Sequence, residues 1–302
     1  MRIVVVGAVE STVAAIEALL ESQTAPAAVV TLPRKALGRH SDAIDISQAV
    51  SATLPIIYAE DVNSAPIVAE VRQLNPDIIF IVGWSQVCKA PFREAARLGC
   101  IGFHPSLLPK LRGRAVIPWT ILTHQQETGA SFFWIDDGID TGDILRQQRF
   151  RLRNDETARS LYDRQRSAIR ELIPQIVNDF HQGVATRTPQ DHDHATYCAR
   201  RRPRDGKIDW HADADRVLTF IRAVGDPYPG AFTTMDGEHL SIWTARPYAH
   251  SHRYIGLPGQ IQTLTTGGFV VRCGNGECVE VTKWTTPADR KIARHAVLGE
   301  AE

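Results

Sequence analysis

The run GFHPSLLPKLRGR, residues 102–114, sets His104 at the end of an apolar stretch and follows it with Pro105 and Pro109. Prolines fix φ and stiffen the chain around them, so this imidazole is held in one place. An imidazole titrates near neutrality and can take or give a proton during a reaction. A second run, WIDDGIDTGDIL at 134–145, supplies Asp136, Asp137, Asp140 and Asp143 beside Gly138 and Gly142. A carboxylate near a histidine holds its tautomer and favours its protonated form. Alone, a strand-end histidine is more often structural and an acidic turn is usually solvated. Together the two segments point to proton-transfer chemistry.

Two further clusters have chemical side chains. Arg200, Arg201, Arg202, Arg204 and Lys207 form a compact basic group. Arginine suits bidentate phosphate binding, although such runs also occur as solvated linkers. The DHDH run at 191–194 has metal-ligand residue types. It lies in a polar connector without a visible second shell, so it reads as solvated chain and no metal is expected.

The elements that must position these groups follow from periodicity. RIVVVGA is a buried strand that ends at Gly7, and STVAAIEALLES continues with helical spacing. Strand, glycine turn and helix open a doubly wound α/β sheet. APAAVVTL, PDIIFIVGW, CIGFH, ASFFWID and GDILRQQRFRL read as further strands, and APFREAARLG as a short helix. In such a sheet ligands sit at the carboxyl ends of strands, where His104 falls. Trp84 and Phe103 read as core. A long amphipathic helix is expected from an N-cap at Asp155 to a stop at Gly183. The polar stretch from Ala185 to Lys207 reads as an interdomain connection. After it come one helix, ADADRVLTFIRAV, and several short strands with glycine turns, the pattern of a small antiparallel barrel.

Composition narrows the function. The chain has 302 residues, enough for two domains. Lys+Arg and Asp+Glu both number 34, so no overall charge draws it to nucleic acid or to an anionic membrane. Five cysteines without a C-x-x-C pair argue against a disulfide framework or zinc knuckle. No signal peptide or membrane-spanning run is visible, and a cytoplasmic location is expected. The GAVEST turn lacks the G-x-G-x-x-G spacing of a dinucleotide site, which disfavours an NAD-dependent oxidoreductase.

FHPSLLPKLRGR with IPW, followed by ETGASFFWIDDGIDTGDIL, closely resembles the formyltransferase family that uses 10-formyltetrahydrofolate. The hallmark of that family is Asn-x-His with SLLP and RG, then an aspartate 36 residues after the histidine, the separation of His104 and Asp140. The resemblance implies a Rossmann-like formyltransferase domain over 1–203 and a smaller C-terminal OB-like β-barrel domain over 204–302. It implies catalytic roles for His104 and Asp140. It also implies a folate site built from the backbone of Gln86, Val87 and Cys88, the loop Ser106, Leu107, Leu108 and Pro109, Arg114, and the loop Asp136, Asp137, Gly138 and Ile139. Gly102 stands where the family has its asparagine. An asparagine there would donate to the developing oxyanion, and losing such a donor typically costs ~10²–10³ in rate.

The region from Ala195 to Thr233 is similar to sugar-nucleotide N-formyltransferases. With the neutral charge, this favours a nucleotide-linked amino sugar as acceptor, held by Arg112, Arg201, Arg202, Arg204 and Tyr228. Methionyl-tRNA formyltransferase is the alternative, and a formyltetrahydrofolate hydrolase is a third reading that Gly102 supports. A catalytically dead folate- or nucleotide-binding protein is disfavoured because His104 and Asp140 are both present. Nucleic acid is not expected as a partner, and a homodimer is left open.

Overall fold

The computed structural model describes residues 1–39, 42–287 and 290–299. The chain divides into two compact units. The first comprises residues 1–116, 126–153 and 162–200; the second comprises 117–125, 154–161 and 201–302. The last of these boundaries falls between Arg200 and Arg201. Two short stretches of the first half group with the second, a non-local arrangement that no local pattern signals.

The first unit holds a seven-stranded sheet of β1 (Ile3–Val6), β2 (Ala28–Thr31), β3 (Ile56–Tyr58), β4 (Ile78–Ile81), β5 (Gly99–His104), β7 (Glu127–Trp134) and β8 (Ile144–Arg151). Its order is β3-β2-β1-β4-β5-β7-β8. The first five strands are parallel, β7 runs antiparallel to β5, and β8 is antiparallel to β7. The central strands IVVV and IIFI are buried at every residue, as parallel strands covered on both faces must be. Helices α1 (Glu10–Glu21), α2 (Ile46–Ala49), α3 (Ala65–Gln73) and α4 (Ala90–Arg93) connect them. Phe80, Ile101 and Phe132 of the sheet share a core with Ile16 and Leu19 of α1. A side chain at Gly7 would place its Cβ 2.0 Å from the Val82 carbonyl, so the β1–α1 turn requires glycine.

Between β5 and β7 lie β6 (Arg112–Gly113) and α5 (Val116–Leu122). The long helix α6 (Ala158–Gln182) follows β8. Its Ile169, Leu172, Ile173 and Ile176 join the sheet core. The expected cap at Asp155 falls two residues later. Ser160 N–H donates to Thr157 Oγ1 at 3.0 Å and Thr157 N–H donates to Ser160 Oγ at 2.9 Å. Gly183, at φ +70°, ends the helix as expected.

The stretch expected as a loose connector is built into the first unit as far as residue 200. Thr188 bridges Ile144, and β9 (Tyr197–Cys198) pairs in parallel with β6. Its polarity reflects hydrogen bonding to loops rather than a free linker.

The second unit contains α7 (Ala214–Val224) and an antiparallel sheet of β10 (Ala231–Met235), β11 (Glu238–Pro247), β12 (Ile261–Thr265), β13 (Gly268–Arg272) and β14 (Cys278–Thr285). The order β10-β11-β14-β13-β12 leaves β10 and β12 as edges. Residues 295–299 stitch both edges. Leu298 N–H donates to the Gly259 carbonyl and Ile261 N–H to the Ala296 carbonyl, while Gly299 N–H donates to the Thr234 carbonyl. The expected barrel is therefore closed by a terminal segment instead of a strand pair.

Candidate active site

His104 is the last residue of β5, with 4% of its surface exposed. Its Nε2 lies 2.7 Å from the Leu111 carbonyl and its Nδ1 lies 3.4 Å from Asp140 Oδ2. A carbonyl only accepts, so Nε2 carries hydrogen in this arrangement. The Leu111 peptide is itself held, its N–H donating to Thr196 Oγ1 at 2.8 Å.

Asp140 reaches this histidine by an indirect route. Because β7 is antiparallel to β5, Trp134 at its end pairs with Ile101, below His104. The 135–143 loop then returns toward His104. Asp140 sits within it at φ +55°, a left-handed conformation that aspartate tolerates better than most residues. Gly113 N–H donates to Asp140 Oδ2 at 2.8 Å. Gln190 Nε2 donates to the Asp140 carbonyl at 2.9 Å and to the Gly142 carbonyl at 2.6 Å.

The loop after His104 is pinned by side chains from three elements. Ser131 of β7 donates to the Ser106 carbonyl at 2.6 Å and accepts from Leu108 N–H at 3.2 Å. Gln147 of β8 donates to the Leu108 carbonyl at 2.9 Å. Gln165 of α6 donates to the Pro105 and Gly129 carbonyls. Ser106 Oγ turns inward to the Lys110 carbonyl, Leu108 is buried, and the Leu108–Pro109 peptide is cis. Leu107 packs against Gly129, where a Cβ would lie 2.4 Å from it.

The other loop named from the sequence lies between β4 and α4. Gln86 accepts from Val62 N–H and donates to the Glu60 carbonyl. The Val87 carbonyl accepts from Asn63, and Arg114 donates to the Ser85 carbonyl. Arg93 donates to both the Cys88 carbonyl and Asp137, which ties this loop to the 136–140 loop. Asp136 Oδ1 accepts from Gly138 N–H at 3.0 Å and Thr141 Oγ1 at 2.6 Å, forming a tight turn. Val87 and Ile139 leave 62% and 58% of their surface exposed.

Gly102 faces Phe133 and Ile135. A Cβ there would lie 2.7 and 2.8 Å from Phe133 ring atoms and 3.1 Å from Ile135. The space an asparagine would need is filled by an aromatic ring.

The arginines expected to hold an acceptor are placed differently. Arg112 is only 1% exposed, and its guanidinium donates to Gln190, Tyr197 and His192. It is not displayed for a substrate, because its place in β6 turns it inward. Arg201 lies over the Trp119 and Phe220 rings and donates to the Asp205 carbonyl. Burial lowers its pKa. Arg202 and Arg204 are exposed; Asp205 accepts from the Arg202 N–H and lies 3.9 Å from Arg204. Tyr228 is half-buried in a turn, its N–H donating to the Gly225 carbonyl at 3.0 Å.

All five cysteines are free. Burial pushes the Cys88 and Cys273 thiols up to about 12 and Cys198 up to about 11, which leaves no thiolate nucleophile at neutral pH among these three. The DHDH run is exposed. Among the described residues no group of three or more His, Cys, Asp or Glu side chains could hold a metal ion. Nor is any helix among them long and apolar enough to cross a membrane.

Sequence reasoning missed Ser131, Gln147, Gln165, Gln190 and Thr196. Each is a neutral polar residue whose role is set by a distant backbone group, so no local pattern reveals it.

Residues 1–177 match the family described as "Formyl transferase", and 201–299 match "Formyl transferase, C-terminal domain". A methionyl-tRNA formyltransferase of Geobacter metallireducens is 34% identical over 252 residues, covering 82% of this chain and 79% of the relative. Another, from Lachnospira eligens, is 32% identical over 285 residues, covering 92% and 90%. Among solved structures, the N-formyltransferase from Helicobacter canadensis with folinic acid and dTDP-3-aminofucose superposes with a TM-score of 0.66 at 19% identity, over 93% of this chain and 99% of that one. HypX from Aquifex aeolicus with tetrahydrofolic acid superposes at 0.69 and 17% identity, over 94% of this chain and 44% of that one. At these identities the structural likenesses show a shared fold.

Proposed function

Because the chain belongs to the formyl transferase family, we propose that His104 and Asp140 carry its formyl transfer to an amine. The family takes its formyl group from 10-formyltetrahydrofolate. The residues present fit a flat heteroaromatic donor. Val87 and Ile139 offer exposed apolar side chains on two loops that Arg93 ties together. Gln86, Val87, Cys88, the 106–109 loop, Arg114 and the 136–139 loop would hold it.

The donor, when bound, supplies the formyl carbon. An attacking amine must shed a proton, and the departing folate nitrogen must gain one. His104 is the group that moves this proton. With Nε2–H on the Leu111 carbonyl, Nδ1 is the atom that receives it. Asp140 lies beside that atom and stabilises the charged ring as it forms. Gly113 N–H keeps the carboxylate oriented. The His104–Asp140 contact carries this reading.

For the acceptor we infer the amine of methionyl-tRNA. Support comes from relatives of that name, 30–34% identical over 82–94% of this chain. The reading first favoured by sequence, a nucleotide-linked amino sugar, loses the buried Arg112 from its proposed phosphate ligands, and Arg201 is already packed on two rings. It keeps the exposed Arg202 and Arg204 and the formal charge of zero, since a tRNA surface calls for many cationic contacts. The test is a parallel assay of labelled formyl transfer to methionyl-tRNA and to a panel of amino-sugar nucleotides. Labelled formyl-methionyl-tRNA is expected; label only on a sugar would replace this acceptor with the second.

A further inference from the structure

We propose that Gln190, oriented by Arg112, is a positioning residue for Asp140, an inference that rests on the formyl-transfer reading above. Gln190 is 5% exposed and makes contacts with both ends of its amide. Its Oε1 accepts from Arg112 Nη2 at 2.6 Å and from Nε at 3.2 Å. Its Nε2 donates to the carbonyls of Asp140 at 2.9 Å and Gly142 at 2.6 Å.

A guanidinium has donors only. The amide oxygen of Gln190 must therefore face Arg112, and its NH₂ must face the two carbonyls. The reverse orientation would set NH₂ against a donor and oxygen against two acceptors. Arg112 thus fixes which way the amide points, and the amide fixes the backbone on both sides of Thr141.

This matters because Asp140 is held at a positive φ. Its side chain is gripped by Gly113 N–H and its main chain by Gln190. Gly113 follows Arg112 in β6, and β6 pairs with β9 seven residues beyond Gln190. One short parallel pair thereby supplies both holds. Arg112 donates otherwise to Tyr197 Oη at 3.0 Å and lies 3.1 Å from His192 Nδ1, and among the described residues no carboxylate pairs with it. A buried cation satisfied by neutral acceptors is expensive for stability alone. Its geometric role explains why this position holds arginine.

Gln190→Glu is the discriminating variant. It keeps an oxygen toward Arg112 and supplies a counter-charge, but it removes both donors to the loop. Gln190→Ala removes both halves. Three quantities would be read: kcat per folate-binding site, the ratio of formylated product to free formate, and amide exchange across residues 136–143. Gln190→Glu is expected to lower kcat by ten-fold or more, raise the share of formate, and speed exchange in that loop, with a rise in donor KM smaller than the fall in kcat. A mere loss of folded protein would change neither the product ratio nor the location of faster exchange. Wild-type kcat, product ratio and loop exchange in Gln190→Glu would overturn the proposal. If Gln190→Ala fails to fold, the Glu variant still decides. The exchange measurement needs no substrate. It therefore tests the clamp even if the wild-type protein transfers formyl to no amine, a result that would count against the function and not against the positioning.

Discussion

Among single residues, the proposed chemistry rests on one proton-moving pair, His104 and Asp140. His104→Ala and Asp140→Asn are each expected to lower kcat by at least ~10²-fold, the effect of removing a positioned acid–base or its partner. Single-turnover kinetics on folded variants would measure this. Gly102 gives a second prediction. Gly102→Asn must displace the Phe133 ring, so it should cost ~1–3 kcal/mol of stability. It should not raise formyl transfer unless Phe133 is also reduced, as in Gly102→Asn/Phe133→Ala. Thermal melts together with product-to-formate ratios of the single and double variants would check it; a stable, faster single variant would contradict it. That His104 and Asp140 meet was legible in the sequence because their spacing is carried by recognisable motifs. Arg112 was misread. A basic residue in a loop-rich motif suggests a displayed charge, and only the β6–β9 pairing turns it inward.

At the scale of elements, the strands and the long helix were legible from apolar runs and from Gly183. The route of the 135–143 loop was not, because it depends on β7 pairing antiparallel to β5. The pinning of the loop after His104 is equally non-local. Ser131→Ala would leave Leu108 N–H and the Ser106 carbonyl without this partner, at a cost of ~1–3 kcal/mol. The donor KM should rise as the 105–110 loop loosens, and unaltered melting and KM would argue that the loop is rigid without it. In the C-terminal sheet, Glu280 of β14 is buried; hydrogen bonds from Arg246 and Thr265 hold its pKa below the ordinary 4.5. A lowered carboxylate pKa stabilises the fold above the unfolded value, and that stability is lost as pH falls through the folded value. Glu280→Gln should therefore cost about 1 kcal/mol at pH 7. The difference from wild type should shrink below pH 4.5. Denaturant melts at several pH values would show the convergence.

For the whole molecule, the motifs made the family legible. The acceptor was not, because net charge and a local arginine run describe neither burial nor pairing. Affinity for tRNA should fall steeply with salt, since each phosphate contact releases counterions, whereas a single nucleotide diphosphate engages two or three cations. Competition by deacylated tRNA and by free nucleoside diphosphates at two salt concentrations would separate these cases. Transfer of a formyl carbon to an amine by this chain is expected to run through the His104–Asp140 pair. It is tested most directly by following isotopically labelled formyl from 10-formyltetrahydrofolate in wild type and in His104→Ala. Wild type should place the label in an N-formyl product, with methionyl-tRNA as the expected acceptor, and His104→Ala should lose that product by ~10²-fold while still binding the folate. Label recovered only as free formate from wild type, or undiminished N-formyl product from His104→Ala, would contradict it.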